Sequence, residues 1–149
     1  MATESQNIYK TVRKSAGFTQ ERAAQLLNVS VDALRDYEQG QRPVPSDVAS
    51  AMCDVYQAPY LAVQHLRLSS ELGRRVVPEI QLNDLPEAVL GVLAAVQKFV
   101  AKRDALVEIA SDGQISADEQ AEWDAIMQLV DNLNAAVTNM RFSKGGGKT

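Results

Sequence analysis

The sequence predicts an all-α protein in which a five-helix domain precedes an antiparallel helical hairpin. Hydrophobic residues make up 46% of the chain and aromatic residues only 5%, and this mixture of small aliphatic side chains favours helices. Apolar residues recur three and four positions apart, in segments separated by glycine, proline and capping residues. The segments are short in the first half and long in the second, so we expect two separate helical domains.

The first half divides into five short helices, each bounded by a residue that caps or breaks a helix. The first covers residues 8–16 and ends before a glycine. Thr19 is expected to cap the second helix, QERAAQLL, and Ser30 the third helix, VDALRDYE. Ser46 is expected to cap the fourth, DVASAMCDVY, and the fifth, YLAVQHLRL, follows a proline. These helices predict one compact domain over residues 1–68.

The second half is predicted to contain two longer helices. Residues 69–84 lack periodicity and contain glycine and proline, so we expect a linker there. One long helix is expected over residues 85–110, and the loop SDGQIS then turns the chain. Ser116 and Glu119 have the spacing of a capping box, which predicts the start of the last helix.

The last helix carries apolar residues at alternating spacings of three and four, which is the pattern of a heptad seam. Two helices joined by a short loop run antiparallel, so we expect a hairpin over residues 85–142. The glycine-rich residues 143–149 are expected to form a disordered tail. The residues of the seam are Trp123, Ile126, Val130, Leu133, Val137 and Met140.

The composition argues against catalysis and against a metal or cofactor site. His65 is the only histidine and Cys53 the only cysteine, so the usual zinc ligands and catalytic triads cannot be assembled. A lone cysteine also suits a reducing compartment. No apolar run approaches the roughly 20 residues that cross a bilayer, and the N-terminus has no signal peptide. We therefore expect a cytoplasmic protein that is not an enzyme.

The segment FTQERAAQLLNVSVDALRDYEQG reads as a helix, a tight turn, a second helix and a glycine stop. Its small residues Ala23 and Ala24 would let the two helices approach closely. The segment resembles the phage-repressor/Cro-like (XRE) family of helix-turn-helix domains, and the resemblance extends over residues 7–66. It is carried by Phe18, Thr19, Gln20, Glu21, Ala24, Leu27, Val29, Ser30, Leu34, Glu38, Gln39, Gly40, Arg42 and Pro45.

The resemblance implies that the third helix is a recognition helix that enters the major groove of double-stranded DNA. Gln20 matches a family position that touches a DNA phosphate, and Arg42 is a second phosphate contact. Arg13 and Lys14 are expected to add long-range attraction. The exposed face of the recognition helix is expected to consist of Ser30, Val31, Asp32, Arg35 and Asp36.

Two carboxylates on the recognition helix depart from the usual family pattern. Asp32 and Asp36 can accept a hydrogen bond from cytosine N4, but DNA phosphates repel them. In a second interpretation, Asp32 pairs with Arg35 one turn later and holds it for a guanine contact. In a third, these charges are a solvated helix face. The charge balance places any DNA contact in residues 1–75, which hold nine basic and eight acidic residues, against six and eleven in residues 76–149.

The hairpin has more apolar surface than two helices can cover, which indicates association. We expect two hairpins to pack into a four-helix bundle, so that a homodimer presents two recognition helices. DNA half-sites would then lie a whole number of helical turns apart, roughly 34 Å each. The residues expected to form the dimer contact are Val96, Phe99, Val100, Trp123, Ile126, Val130, Leu133 and Val137.

Together these features predict a sequence-specific bacterial transcription regulator, with repression more favoured than activation. Blocking a promoter needs no further surface, and no ligand-binding domain is visible, so control would come from protein level or from a protein partner. The alternative is a protein-interaction module that kept the helix-turn-helix shape but binds DNA weakly or not at all. The acidic recognition helix favours this alternative.

Overall fold

The computed structural model describes residues 7–143, and these residues form nine helices and no strand. The all-α prediction is therefore confirmed. The chain divides into two compact units, one ending at Val77 and the other beginning at Pro78. The expected disordered tail falls largely on residues 144–149, which lie outside the described range.

The described part of the first unit contains six helices, of which the first five surround one core. The first five agree with the predicted segments to within a residue or two. Their buried side chains form a continuous cluster, centred on the fully covered Leu34, Met52 and Leu61. The helices are α1 (Ile8–Ser15), α2 (Gln20–Leu27), α3 (Val31–Glu38), α4 (Ser46–Val55), α5 (Tyr60–Ser69) and α6 (Glu71–Val76).

Two of the three predicted caps in this unit are confirmed. The Thr19 hydroxyl accepts a hydrogen bond from the Arg22 backbone N–H, and the Ser30 hydroxyl accepts one from Ala33. The prediction for Ser46 was wrong, because α4 begins at Ser46 itself and has no side-chain cap. Pro45 precedes this helix and leaves Ser46 in the first turn, where its hydroxyl faces α5 instead.

A sixth helix, α6, lies inside the segment predicted to be an aperiodic linker. It packs on α5, where a Cβ on Gly73 would overlap the carbonyl oxygen of Leu66. Arg67 of α5 donates from Nη1 to the Val77 carbonyl at 2.5 Å, beyond the last residue of α6. These tertiary contacts hold α6, which has only six residues and would be too short to form alone.

The second unit consists of α7 (Leu85–Val100), α8 (Arg103–Ala110) and α9 (Gln120–Phe142). The prediction of one continuous helix over 85–110 was wrong, because the helix is interrupted at Ala101 and Lys102. The Lys102 N–H bonds to the Phe99 carbonyl, three residues back, and this tighter turn ends α7. The interruption lies where Lys102 Nζ pairs with Glu122 at 2.8 Å.

Helices α7 and α9 run antiparallel, as predicted. The Asn83 N–H, just before α7, donates to the Asn139 side chain near the end of α9, while Lys102 after α7 pairs with Glu122 near the start of α9. The capping prediction holds in part. Glu119 accepts from the Ser116 N–H at 2.8 Å, but regular helix begins only at Gln120.

Candidate nucleic-acid interface

The turn between α2 and α3 has the tight geometry that the sequence predicts. Asn28 ends α2 in the left-handed region at φ 54°, a conformation that asparagine tolerates better than most residues. The Val29 N–H then bonds to the Ala24 carbonyl at 3.0 Å. Ala23 and Ala24 are buried, so the two helices approach closely at these small side chains. This contact fixes the direction in which α3 leaves the turn.

Helix α3 presents a polar face to solvent. Asp32 and Arg35 are exposed, Asp36 is half-buried, and exposed Gln39 continues the face one turn further on. Sequence reasoning missed Gln39, although its spacing of four from Arg35 could have identified it. Val31, by contrast, packs partly against the core and offers less of its side chain to a partner. The residues predicted to read DNA bases are therefore brought together at the surface of α3, although Val31 is only partly available.

Arg35 and Asp32 form an ion pair across one helical turn. Arg35 Nη1 donates to Asp32 Oδ1 at 2.9 Å, which supports the interpretation that the aspartate holds the arginine. The pair is exposed, so its contribution to stability is small and is screened by salt. A guanidinium has five N–H donors, and a single bond to Asp32 leaves donors for the edge of a guanine. Ser30, at the start of the same helix, is exposed, and its hydroxyl accepts the capping bond.

Gln20 lies at the first position of α2, as the phosphate contact requires. Its Nε2 donates to Glu38 Oε2 at 2.8 Å, which fixes the amide against the end of α3. The amide nitrogen carries two hydrogens, so one remains for a phosphate oxygen. The first N–H groups of α2 are free of helix partners and favour an anion at the same place.

The prediction that Arg13 adds long-range attraction to DNA was wrong. Arg13 is only 6% exposed, and its Nε donates to Glu38 Oε1 at 2.5 Å. It also donates to the Phe18 carbonyl at 2.6 Å, so its charge is neutralised inside the domain. The hydrogen bond with Glu38 raises the pKa of Arg13. Lys14 is exposed, and its contribution stays a prediction.

A signal for this buried pair was present in the sequence. Arg13 follows the inward-facing Tyr9 by four residues, and Glu38 follows the inward-facing Leu34 by four. Residues four apart share a helix face, so both charges lie on core-facing stripes. Because a buried charge requires a partner, the two positions point to each other.

Arg42 lies in the loop after α3, with its guanidinium carbon 5.7 Å from the centre of the Tyr37 ring. Cation–π contact with an aromatic face holds an arginine without consuming its N–H donors. Tyr37 is itself buried in the core, so it provides a rigid platform. Arg42 is exposed and is therefore available to a phosphate, as its predicted role requires.

His65 belongs to the core of the first unit. The Tyr9 hydroxyl lies 2.7 Å from His65 Nδ1, and Ser46 Oγ lies 3.5 Å from Nε2. Burial lowers the pKa of His65, which favours the neutral ring. A neutral imidazole has one donor and one acceptor, which matches one hydroxyl on each side. The three side chains connect α1, α4 and α5, and His65 is only 4% exposed.

The residues predicted for dimerisation differ in their exposure. Val96 and Val100 are 39% and 56% exposed, whereas Ile126 is fully covered within its own unit and is removed from the set. Its burial agrees with the packing of α9 on α7. The partly exposed members are Phe99, Trp123, Val130, Leu133 and Val137.

Metal clusters and membrane-spanning helices are both absent from the described residues. No group of three or more histidine, cysteine, aspartate or glutamate side chains within residues 7–143 is arranged to hold a metal ion. In the same range, no helix combines the length and the hydropathy that a membrane crossing demands.

Comparison with known proteins gives one match. The family described as "Helix-turn-helix domain" matches residues 10–68, which is the part of the first unit that contains α2, the turn and α3. No curated protein and no solved structure matches the chain. The helix-turn-helix domain is a DNA-binding fold that is typically non-enzymatic, and it supports a DNA-binding regulator in general. Residues 10–68 of this chain therefore match a helix-turn-helix domain of the XRE/Cro-like type.

Proposed function

We propose that this protein is a transcription regulator that binds selected sites in duplex DNA as a homodimer, with repression as its main mode of action. The main support for the proposal is the polar face of α3. An intact helix-turn-helix presents Arg35 to solvent, and Asp32, the second residue of α3, holds that guanidinium at 2.9 Å. Helix-turn-helix proteins contact base edges with the N-terminal residues of the recognition helix, and the bond to Asp32 ties the Arg35 guanidinium to that end of α3.

The proposed contacts divide into two classes. Arg35 reads a guanine in the major groove, while Gln20 and Arg42 contact phosphates on either side of it. Asp36 is half-buried and can accept from cytosine N4, and Ser30 adds a hydroxyl at the start of the helix. The part of Val31 left uncovered by the core is placed for a thymine methyl. Phosphate contacts set the position of the protein, and the α3 side chains set the sequence.

Dimerisation is supported by the sparse core of the second unit. Ala88, Ile109 and Ile126 are its only buried hydrophobic side chains among the described residues. A unit of this size needs more buried apolar surface than three side chains supply. A second copy would add this surface and would present two α3 helices to two half-sites.

A protein-interaction module remains the second candidate, because Asp32 and Asp36 place carboxylates where DNA phosphates approach. Titration of the protein against mixed genomic fragments at two salt concentrations separates the candidates. A regulator retains selected fragments and releases them as salt rises, since phosphate contacts release counterions. An interaction module retains no fragment even at low salt, and that result would reject the proposal.

A further inference from the structure

Helix α7 carries two apolar faces, of which only one is covered. The first contains the buried Ala88 and continues at spacings of four, three and four through the half-buried Val92, Ala95 and Phe99. Helix α7 packs on α9, and this face accounts for that contact. The second face is the outer seam, which has the same spacing and exposures of 37%, 55%, 39% and 56%. It consists of Val89, Leu93, Val96 and Val100.

The outer seam has the composition of a surface that becomes buried. At 100° per residue, the only charged residues within α7, Glu87 and Lys98, lie on the opposite side of the helix from the seam. Leu90, at 66% exposed, and Gln97 flank it instead. Depletion of charge at the centre of an apolar strip is typical of the core of an interface.

The seam is complementary to itself when two copies run antiparallel. Its four residues are arranged symmetrically about a point between Ala94 and Ala95. Val89 then lies opposite Val100 of a second copy, and Leu93 lies opposite Val96 of that copy. Such pairing is isologous, because each copy gives and receives the same contact. Spacings of four and three also match the knobs-into-holes packing of two helices.

The charges at the two ends of α7 favour the antiparallel direction. The start of the helix is acidic, with Asp84 and Glu87, a sum of −2 over residues 84–88. The other end carries Lys98 and Arg103 followed by Asp104, which gives +2 − 1 = +1 over residues 98–104 when Lys102, paired with Glu122 of its own chain, is left out. Antiparallel copies place opposite charges together, whereas parallel copies place like charges together. The helix dipoles favour the same direction.

We propose that α7 pairs antiparallel with α7 of a second copy through the outer seam, so that the central contact of the dimer is α7 against α7. This rests on the homodimer of the proposed function and names its surface. The exposed residues of the interface are then Val89, Leu93, Val96 and Val100, with Leu90 at its edge.

Disulfide trapping in the full-length chain tests both the surface and its direction. In a Cys53→Ala background, Val89→Cys and Val100→Cys chains with tags of different mass are mixed and oxidised. Antiparallel pairing predicts the mixed dimer as the main product. Two copies of residue 89 would lie about 16 Å apart along the helix axis, beyond the reach of roughly 7 Å for a disulfide. Self-linked dimers of each chain as the main products, or no linked dimer, would overturn the proposal.

A charge placed in the outer seam gives an independent test. Leu93→Glu is expected to reduce the mass in solution to that of one chain, measured by light scattering. Ala94→Glu, one residue away and exposed on another side of α7, is the matched control and keeps the dimer mass. Circular dichroism verifies that both variants stay helical. A wild-type chain that is monomeric, or a dimer that survives Leu93→Glu, contradicts the proposal.

DNA binding is kept separate from dimerisation by a third variant. Arg35→Ala removes the proposed base contact in the first unit and lies outside the outer seam. It is expected to keep the dimer mass and the same disulfide products while losing selective DNA binding. A chain that fails to bind DNA but gives the mixed disulfide would reject the regulator and support the α7 pairing.

Discussion

Arg35 Nη1 donates to Asp32 Oδ1 at 2.9 Å on the solvent side of α3, so the basic group of the recognition helix is held by an acidic neighbour. This ion pair explains why a helix that is proposed to approach DNA contains an acidic residue, Asp32. The carboxylate orients the guanidinium, and the exposed pair retains donors for a base. It also predicts that the two residues act together in recognition.

Replacement of Arg35 by alanine should reduce discrimination between selected and unselected DNA by about 1–3 kcal/mol, since a guanidinium to guanine contact has that value. Arg42→Ala is the matched control. It removes a proposed phosphate contact, so it should weaken binding to all sequences alike and reduce the salt slope by about one. Fluorescence anisotropy with specific and scrambled duplexes measures both. Equal loss of affinity for the two duplexes in Arg35→Ala would contradict a reading role.

Replacement of Arg13 by methionine should destabilise the first unit by about 3–5 kcal/mol, because the carboxylate of Glu38 is then buried without a counter-charge. Glu38 is 4% exposed, so solvent cannot compensate the loss. The double variant Arg13→Met with Glu38→Gln removes the unpaired charge and should recover part of the stability. Urea unfolding followed by circular dichroism measures both values. A cost below 1 kcal/mol for Arg13→Met would mean that the pair is not buried in solution.

Acidification should weaken the fold through His65. Burial lowers its pKa in the folded state below the ordinary value of 6.5, so the unfolded chain takes up a proton first. The contribution of neutral His65 to stability is therefore fully present above pH 6.5, and it is lost as the pH decreases from 6.5 toward the pKa of His65 in the folded state. The variant His65→Asn keeps a polar side-chain group near Tyr9, and asparagine does not titrate. The free energy of unfolding of this variant should lack that pH-dependent step, and an unchanged step would assign it to another group.

Two glycines in helices should respond oppositely to alanine. A Cβ on Gly73 would overlap the Leu66 carbonyl, so Gly73→Ala should cost about 1–3 kcal/mol and release α6 from α5. Gly91, inside α7, has open space around it, so Gly91→Ala should stabilise the helix by about 1 kcal/mol. Thermal unfolding compares the two variants with the parent. Stabilisation by Gly73→Ala would show that α6 is not packed as described.

Local sequence signals predicted five of the six described helices of the first unit, and tertiary contacts account for most of what they missed. Thr19 and Ser30 marked the starts of α2 and α3, because a cap is a property of adjacent residues. Helix α6 also has a capping serine, Ser70, but it lacks an apolar periodicity and is held against α5 by Gly73 and Arg67. The exposure of Arg13 was predicted from its charge alone, although its spacing of four from Tyr9 places it on the core-facing side of α1.

Selection of bound duplexes from a random DNA pool by the full-length protein tests the central claim most directly. The account predicts enrichment of a sequence that contains two related half-sites, separated by a whole number of helical turns, with a guanine whose enrichment is lost in Arg35→Ala. A pool that emerges from repeated low-salt selection with no enriched sequence would contradict the claim that α3 reads DNA.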